Sequence, residues 1–194
     1  MSRTHLTHLK RQSIKENKMS ETLDAIKNRR SCRNFKQQAI PKELVDQVIE
    51  AGTWAPTGRG AQSPVIVYVT NSYVKRKLRE MNAKILGKED FDPFFGAPVI
   101  LIVLADKNVP TYVYDGSLVI GNMMLAAEDL GLASCWIHRA KEEFDSEEGK
   151  TLLKAIGIDN MNLEGIGHLA LGYANVPAPE PAERKKDYVY YSED

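Results

Sequence analysis

The sequence predicts a single domain that combines α-helices with short β-strands. Its 194 residues are enough for one domain with a sizeable core, and 43% of them are hydrophobic. Apolar residues recur at helical spacing in several segments, whereas other short runs are almost wholly apolar or β-branched, as strands are. The sequence contains no internal repeat and no sign of a second domain, so we assign residues 19–194 to one folded unit.

The first two predicted helices precede a loop that contains glycine and proline. Glu21–Asn28 is predicted as a helix because its large apolar side chains share one face. Pro41 suits the first position of a second helix, Lys42–Gly52, which has its own apolar stripe. Ala55–Gly60 then reads as a loop, because proline ends regular structure and its glycines permit positive φ.

The middle of the chain is predicted to hold two strands and a helix. Val65–Thr70 is rich in β-branched residues and predicts a strand. Val74–Leu86 is a charged segment with apolar residues at helical spacing, and Gly87–Gly96 is a loop. Pro98–Leu104 is almost wholly apolar, which is typical of a buried central strand.

The longest predicted helix, Tyr112–Leu130, is apolar nearly all round. A helix of this kind has to be covered on all sides, and in a chain this small that indicates that another subunit covers part of it. Gly131 is placed to end the helix as a C-cap.

The C-terminal third is predicted to complete the sheet. Ala133–Ile137 is a short strand, and a helix with capping-box character starts at Asp145–Glu148. Ile166–Tyr173 is the last core strand. Val176–Glu183 is rich in proline and alanine and is therefore expected to be extended, while Tyr188–Tyr191 is a candidate edge strand.

Charge and composition argue against several classes of function. Lys and Arg number 26, as do Asp and Glu, so the chain has no global field that would attract nucleic acid or an anionic membrane. No apolar run approaches a membrane span and the N-terminus lacks a signal-peptide core, so we expect a cytoplasmic protein. Two cysteines and four unpaired histidines indicate neither a disulfide framework nor a metal site. Residues 1–18 are polar, and we interpret them as a flexible extension or an upstream start.

A cluster of cations and a hydroxyl lies at the end of the first predicted helix, in Arg29, Arg30, Ser31, Cys32 and Arg33. Arginine forks form bidentate charge-assisted bonds and serine adds a neutral donor, so the cluster suits a phosphate and an electron-rich ring edge. A basic run alone is more often a solvated face, and the cluster by itself leaves both interpretations open.

Three motifs follow one another along the chain. They are the segment RRSCRNFKQQAIPKELVDQVIEAGTWAPTGRGAQSP, the Asp115–Met124 helix followed by GLASCWIH, and the ending LALGYANVPAPEPAERKKDYVYY. Together they resemble the nitroreductase family of FMN-dependent oxidoreductases over almost all of Met19–Asp194. The resemblance implies an α+β fold in which helices flank a mixed, largely antiparallel central sheet. It also implies an intertwined homodimer with FMN at the subunit interface.

The resemblance further implies which residues contact FMN. The phosphate and the pyrimidine edge of the ring would be held by Arg29, Arg30, Ser31 and Arg33. A loop from the other subunit would lie beside the flavin through Pro56, Thr57, Gly58 and Gln62. A strand would follow the ring near N5, where a backbone N–H can bond, through Cys135, Trp136, Ile137 and His138. Near the C-terminus, the basic residues that close on the phosphate would be Arg184 and Lys185.

The chain departs from the family pattern in two places. Many members have Asn in the loop and Pro-Trp after the Gln, whereas this chain has Gly60 and then Ser63-Pro64. A basic residue expected two positions before Arg184 is replaced by Ala182, with Lys185 or Lys186 as candidate substitutes. The first departure affects the predicted shape of the substrate pocket more than FMN binding.

Several other side chains have more than one interpretation. His138 could be a surface residue, a flavin contact or a proton donor, and Asn82 is a further candidate FMN contact. The role of Cys32 is left open. A cluster of aromatic residues could anchor its loop in the core or line the substrate pocket, namely Phe91, Phe94 and Phe95.

The activity that the resemblance implies is a ping-pong oxidoreduction. NADH or NADPH would give hydride to flavin N5, and a nitroaromatic, a quinone or a similar small organic oxidant would then take the same space. The flavin carries the chemistry, so no catalytic side chain is named. The alternatives are other flavin chemistry on the same fold, such as dehalogenation or flavin cleavage, and a non-catalytic flavin-binding or redox-sensing protein.

Overall fold

A computed structural model describes residues 20–160 and 162–192. The helices within these ranges are α1 (Glu21–Asn28), α2 (Lys42–Thr53), α3 (Ser72–Leu86), α4 (Tyr112–Asp129), α5 (Ala140–Asp145) and α6 (Glu147–Ala155). The strands are β1 (Pro64–Val69), β2 (Val99–Asp106), β3 (Ala133–Ile137) and β4 (Leu163–Gly172). The extension predicted at residues 1–18 lies outside the described residues.

The four strands form one sheet in the order β1-β2-β4-β3, and each neighbouring pair is antiparallel. A mixed sheet was expected, but among the described residues the parallel component is confined to an isolated bridge between Ser31 and Ser134. In this order β3 is an edge strand. One of its edges pairs with β4, and the other edge faces the segment that follows α1.

Helices cover both faces of the sheet, and the alternation of β2 shows how. Ile100 and Ile102 point into a core that they share with α3, α5 and α6, whereas Leu101 and Val103 point into a second core with α2 and α4. Side chains on opposite sides of a strand alternate, so a strand between two cores has to be apolar throughout. This explains the uninterrupted apolar run that predicted a buried central strand.

Most predicted elements are present, with boundaries that agree to within three residues. Pro41 does not occupy the first helical position but precedes it as the N-cap, in extended backbone. The prediction of a cap before α6 is confirmed, since the Ser146 hydroxyl accepts a 3.0 Å bond from the Gly149 N–H. The reciprocal half of a capping box is absent because the third helical position is this glycine.

Two predictions about local structure were wrong or incomplete. The edge strand at Tyr188–Tyr191 is absent, and a 3-10 turn at Lys186–Tyr188 is followed by exposed chain without strand pairing. Helix α5 was not predicted, because its six residues are too few to display a helical period.

Helix α4 is only partly covered in a single chain. Its inner face packs on the sheet, and Gly131 follows it with φ of 69°, as a glycine beyond a helix end does. On the outer face, however, Tyr114 is 72% exposed and Leu118 is 47% exposed. Within the described ranges, no helix combines the length and the apolar character needed to cross a bilayer.

Candidate cofactor-binding site

The segment after α1 runs beside the open edge of β3. Arg29 ends the helix, and its N–H donates to the Ala25 carbonyl at 3.0 Å. Two residues later the chain pairs with β3, where the Cys32 N–H donates to the Ser134 carbonyl at 2.9 Å. The sequence cluster of cations is therefore fixed next to the first half of an edge strand.

A cavity of about 600 Å³ lies between this segment and the C-terminal tail, and we call it the arginine cavity. It contains four of the predicted site residues, and it is lined by Ile26, Lys27, Arg29, Arg30, Ser31, Pro181, Ala182 and Arg184. Three guanidinium groups around one cavity make it strongly electropositive. A cavity with this lining suits an anionic ligand.

The three arginines of the arginine cavity differ in the bonds that they already make. The Arg30 guanidinium donates to the carbonyls of Pro179, Lys27 and Arg29, at 3.2, 2.7 and 2.8 Å. Arg184 donates twice to the Ala182 carbonyl. In contrast, Nη1 of Arg29 is buried and has no hydrogen-bond partner among the described residues.

An unpaired buried guanidinium nitrogen is costly unless a ligand satisfies it. Arginine nitrogens bind phosphate oxygens by strong charge-assisted bonds, and the Ser31 hydroxyl lines the same cavity. The donor set therefore fits a phosphate ester. Arg29 would bind the phosphate, and Arg30 holds the surrounding backbone in place.

A second cavity of about 220 Å³ lies on the other side of the Arg29–Arg33 segment. Arg30 and Ser31 line both cavities, whereas Arg33 and Cys32 line only the second one, together with Gly131 and residues of the 177–179 stretch. The predicted N-terminal set is thus divided, and Arg33 does not join Arg29 in the arginine cavity.

The predicted strand set presents its backbone rather than its side chains. Cys135 and Ile137 are buried in the first core and Trp136 packs against the second, whereas His138 is exposed. The Ser134 carbonyl points away from β4 to Cys32, so by the alternation of an antiparallel ladder the N–H and C=O of Trp136 face the same open edge. No described strand or bridge pairs with this part of the edge, so the second half of β3 offers the Trp136 N–H to a ligand.

The thiol of Cys135 is not suited to act as a nucleophile. Burial raises the pKa of Cys135, and the Arg33 cation counteracts this shift only in part. A thiol held in its protonated form is a poor nucleophile. We infer no side-chain chemistry at this position.

The predicted loop set lies at the other end of α4. The Gly58 N–H donates to Asp115 in the first turn of α4 at 3.0 Å, and the Gln62 N–H donates to the Thr57 hydroxyl at 3.0 Å. Pro56 and Gln62 are exposed. The 18 residues of α4 span about 27 Å, so within one chain this loop is separated from the Arg29–Arg33 segment by about one helix length.

The remaining predicted residues are distributed as follows. Lys185 lies over the ring of Tyr188, with 5.2 Å from its amino group to the ring centroid. Phe94 is buried and packs edge-to-face on His168, whereas Phe91 is 40% exposed and contacts Phe95. Phe94 therefore anchors its loop in the core. Of the three aromatic residues, Phe91 is the one that extends towards solvent.

The sequence interpretation missed a buried polar group below β3 and β4. Asn82, Glu143 and His168 are each fully buried and are linked by hydrogen bonds. Asn82 is thus no direct ligand of the arginine cavity. The signal available in the sequence was His168 within the otherwise apolar run LEGIGHLALG, where a polar side chain on a core strand needs a partner.

The chain was compared with known protein families and structures. The pattern described as the nitroreductase family matches residues 26–173. A nitroreductase with bound FMN from Bacteroides fragilis is 27% identical, with a TM-score of 0.82 over 90% of this chain and 100% of that chain. A nitroreductase with bound FMN from Desulfitobacterium hafniense is 28% identical, with a TM-score of 0.80 over 91% of this chain and 100% of that chain.

A protein of Methanothermobacter thermautotrophicus that carries the name NADH dehydrogenase/NAD(P)H nitroreductase is 31% identical over 120 residues. That match covers 60% of this chain and 60% of the relative, so the chain is matched to less than two thirds of that protein's length. The antiparallel sheet and its flanking helices are shared with the two solved structures.

Proposed function

The chain belongs to the nitroreductase family, as its three motifs predicted, and from that premise we propose that it is an FMN-dependent oxidoreductase. It takes electrons from NADH or NADPH and passes them to a small organic oxidant such as a nitroaromatic or a quinone. The observation that carries the proposal is the electropositive arginine cavity, which is lined by Arg29 and by Ser31. Nη1 of Arg29 is buried without a hydrogen-bond partner among the described residues, and the backbone of Ser31 pairs with β3.

Two groups of residues would hold FMN. Arg29 and Ser31 would bind the phosphate, and Arg184 would close the arginine cavity from the C-terminal side. The open edge of β3 from Trp136 to His138 would lie along the ring. When bound, FMN supplies the capacity to accept two electrons from a reduced nicotinamide and to release them to a second molecule.

The protein's own contribution is binding, orientation and electrostatics. The backbone of β3 is held by β4 on one edge, so the outward N–H of Trp136 has a fixed direction before any ligand arrives. The cations of the Arg29–Arg33 segment favour negative charge on a neighbouring group, which makes the gain of electrons there easier. Solvent can provide the protons, so no acid or base side chain is required.

We also propose a homodimer in which two α4 helices pack antiparallel. The uncovered face of α4 carries Tyr114, Leu118 and Gly121, and a side chain added at Gly121 would meet nothing within 4 Å in a single chain. Gly121 lies at the middle of α4, so a two-fold axis there allows close approach of the two helices. This arrangement would bring the loop of residues 56–62 from one chain next to the arginine cavity of the other.

The activity is tested by the visible spectrum of protein reconstituted with FMN. Under anaerobic conditions, NADH or NADPH is expected to bleach the flavin absorbance. Addition of a nitroaromatic, a quinone or a halogenated phenol should restore it, and the relative rates identify the oxidant class. Bound flavin that no nicotinamide bleaches would support the non-catalytic alternative. If FMN does not bind at all, the assignment of the arginine cavity is refuted.

The dimer is tested by Gly121→Glu, with Ala155→Glu at the exposed end of α6 as a control of equal charge. Light scattering should give twice 21.8 kDa for the natural chain and the control, but 21.8 kDa for Gly121→Glu. Because the loop of residues 56–62 would then be missing from the site, FMN affinity should fall by about tenfold, the loss of roughly one hydrogen bond. A monomeric variant that binds FMN normally would contradict the two-chain site.

A further inference from the structure

A polar network lies in the first core, directly below the end of β3. It joins α3, α5 and β4 through Asn82, Glu143 and His168, all of which are 0% exposed. The Asn82 amide donates to Glu143 Oε1, which also lies 3.1 Å from His168 Nε2. We call these three residues the asparagine network.

The asparagine network reaches the site through one backbone atom. Nδ2 of Asn82 also donates to the carbonyl of His138 at 2.8 Å, so both of its N–H groups are used. His138 is the residue that follows β3. The bond therefore fixes the peptide plane that begins where the strand ends.

The backbone at this point needs such support. Arg139 has φ of 80°, an uncommon and strained conformation for a residue with a side chain, and it caps the six-residue helix α5. Only His138 and Arg139 connect β3 to α5 at this point. Asn82 anchors the turn from the core side, and Glu143 and His168 hold the amide of Asn82 in place.

Burying three polar residues costs stability relative to an apolar core, especially since each retains a buried polar atom without a partner among the described residues.

We propose that Asn82, oriented by Glu143 and His168, is a positioning residue for the flavin-facing edge from Trp136 to His138. This inference rests on the FMN-dependent function proposed above. By fixing the end of β3, the asparagine network sets both the affinity for FMN and the ease of its reduction.

The test compares Asn82→Ala with Met81→Ala, a core truncation at the neighbouring position of α3 that leaves the asparagine network intact. FMN dissociation constants are measured by flavin fluorescence, well below the melting temperature of every variant, and midpoint potentials are measured against a reference dye. Loss of the bond to His138 should weaken FMN binding by about five- to tenfold, the equivalent of one buried hydrogen bond. Met81→Ala should stay within about twofold even where it lowers the melting temperature as much.

The midpoint potential separates positioning from stability. Asn82→Ala need not weaken the binding of oxidised and reduced FMN by the same factor. If the two factors differ tenfold, the midpoint potential shifts by about 30 mV for a two-electron couple. Met81→Ala should leave the potential unchanged. Asn82→Leu keeps the branched shape of the side chain and provides the same comparison if Asn82→Ala does not fold.

The measurements distinguish a failure of the positioning role from a failure of the proposed function. If both Asn82 variants match Met81→Ala in FMN affinity and in potential, the asparagine network is purely structural and the inference is wrong. If the natural chain and Met81→Ala both fail to bind FMN, it is the proposed function that fails.

Discussion

Replacement of Arg29 by methionine tests the phosphate-binding role directly. Met keeps much of the length and apolar contact of the arginine stem but removes the charge and the Nη1 donor, which is buried without a partner in residues 20–160 and 162–192. Because that nitrogen makes no hydrogen bond to the residues that the structure describes, its removal should leave their fold intact. The loss should appear when a phosphorylated ligand binds.

The magnitude follows from the kind of bond that is lost. A hydrogen bond to a charged group contributes about 1.5–3 kcal/mol. Its loss should raise the FMN dissociation constant roughly 10- to 150-fold. Riboflavin has the same ring and ribityl chain but no phosphate. Its dissociation constant should therefore change by less than about threefold, so Arg29→Met is expected to reduce the preference for FMN over riboflavin.

The assay is a fluorescence titration of apoprotein with FMN and with riboflavin, in low and in high salt. Arg79→Met, at an exposed position of α3, is the matched control for the loss of one positive charge. Added salt should narrow the difference between the natural chain and Arg29→Met for FMN but not for riboflavin, since screening acts on the phosphate. If affinity falls equally for both ligands, Arg29 supports the fold and not the phosphate. If affinity falls for neither ligand, the phosphate does not bind at Arg29.

Two further predictions concern pH and thiol chemistry. The Glu164 carboxylate accepts a 2.8 Å bond from the Tyr112 hydroxyl and pairs with Lys141, which raises the pKa of Tyr112 above 10.0 and that of Lys141 above 10.5. Raised folded-state pKa values give stability that is complete below pH 10.0 and is lost at higher pH. The melting temperature should therefore fall more steeply above pH 10.0 in the natural chain than in Tyr112→Phe, and parallel curves would contradict the assignment. Half-buried Cys32 should react with a disulfide reagent well before Cys135, whose thiol is buried and has a raised pKa, and Cys32→Ser should remove the fast phase.

Much of the fold was predictable because long apolar patterns have one physical solution. The run in β2 had to lie between two cores, and the all-round apolar pattern of α4 indicated a helix with an additional covered face. Helix α5 and the turn at Arg139 were not predictable. Six residues show no period, and a positive φ at arginine arises from the contacts around it and not from local preference.

The candidate site was predictable in composition but not in geometry. The motifs group Arg29, Arg30 and Ser31 together. The structure distinguishes Arg29, whose Nη1 has no hydrogen-bond partner among the described residues, from Arg30, which donates to three carbonyls. Sequence spacing cannot distinguish these roles, because both depend on where the 177–184 stretch passes. The hydrogen bond from Asn82 to the His138 carbonyl likewise depends on where α3 packs relative to the end of β3, which sequence spacing does not give.

The position of β3 at the sheet edge accounts for how one chain can offer a backbone surface to a ligand. An internal strand would use both of its edges in ladder bonds, whereas β3 pairs with β4 on one side only. The Arg29–Arg33 segment covers the first half of the other edge through the Ser31–Ser134 bridge and stops there. An unpaired edge is ordinarily a liability that proteins conceal. Here the segment that carries the cations pairs with the first half of the same edge, and the exposed face of α4 lies in the same chain. One ligand and one second copy together would therefore complete both surfaces.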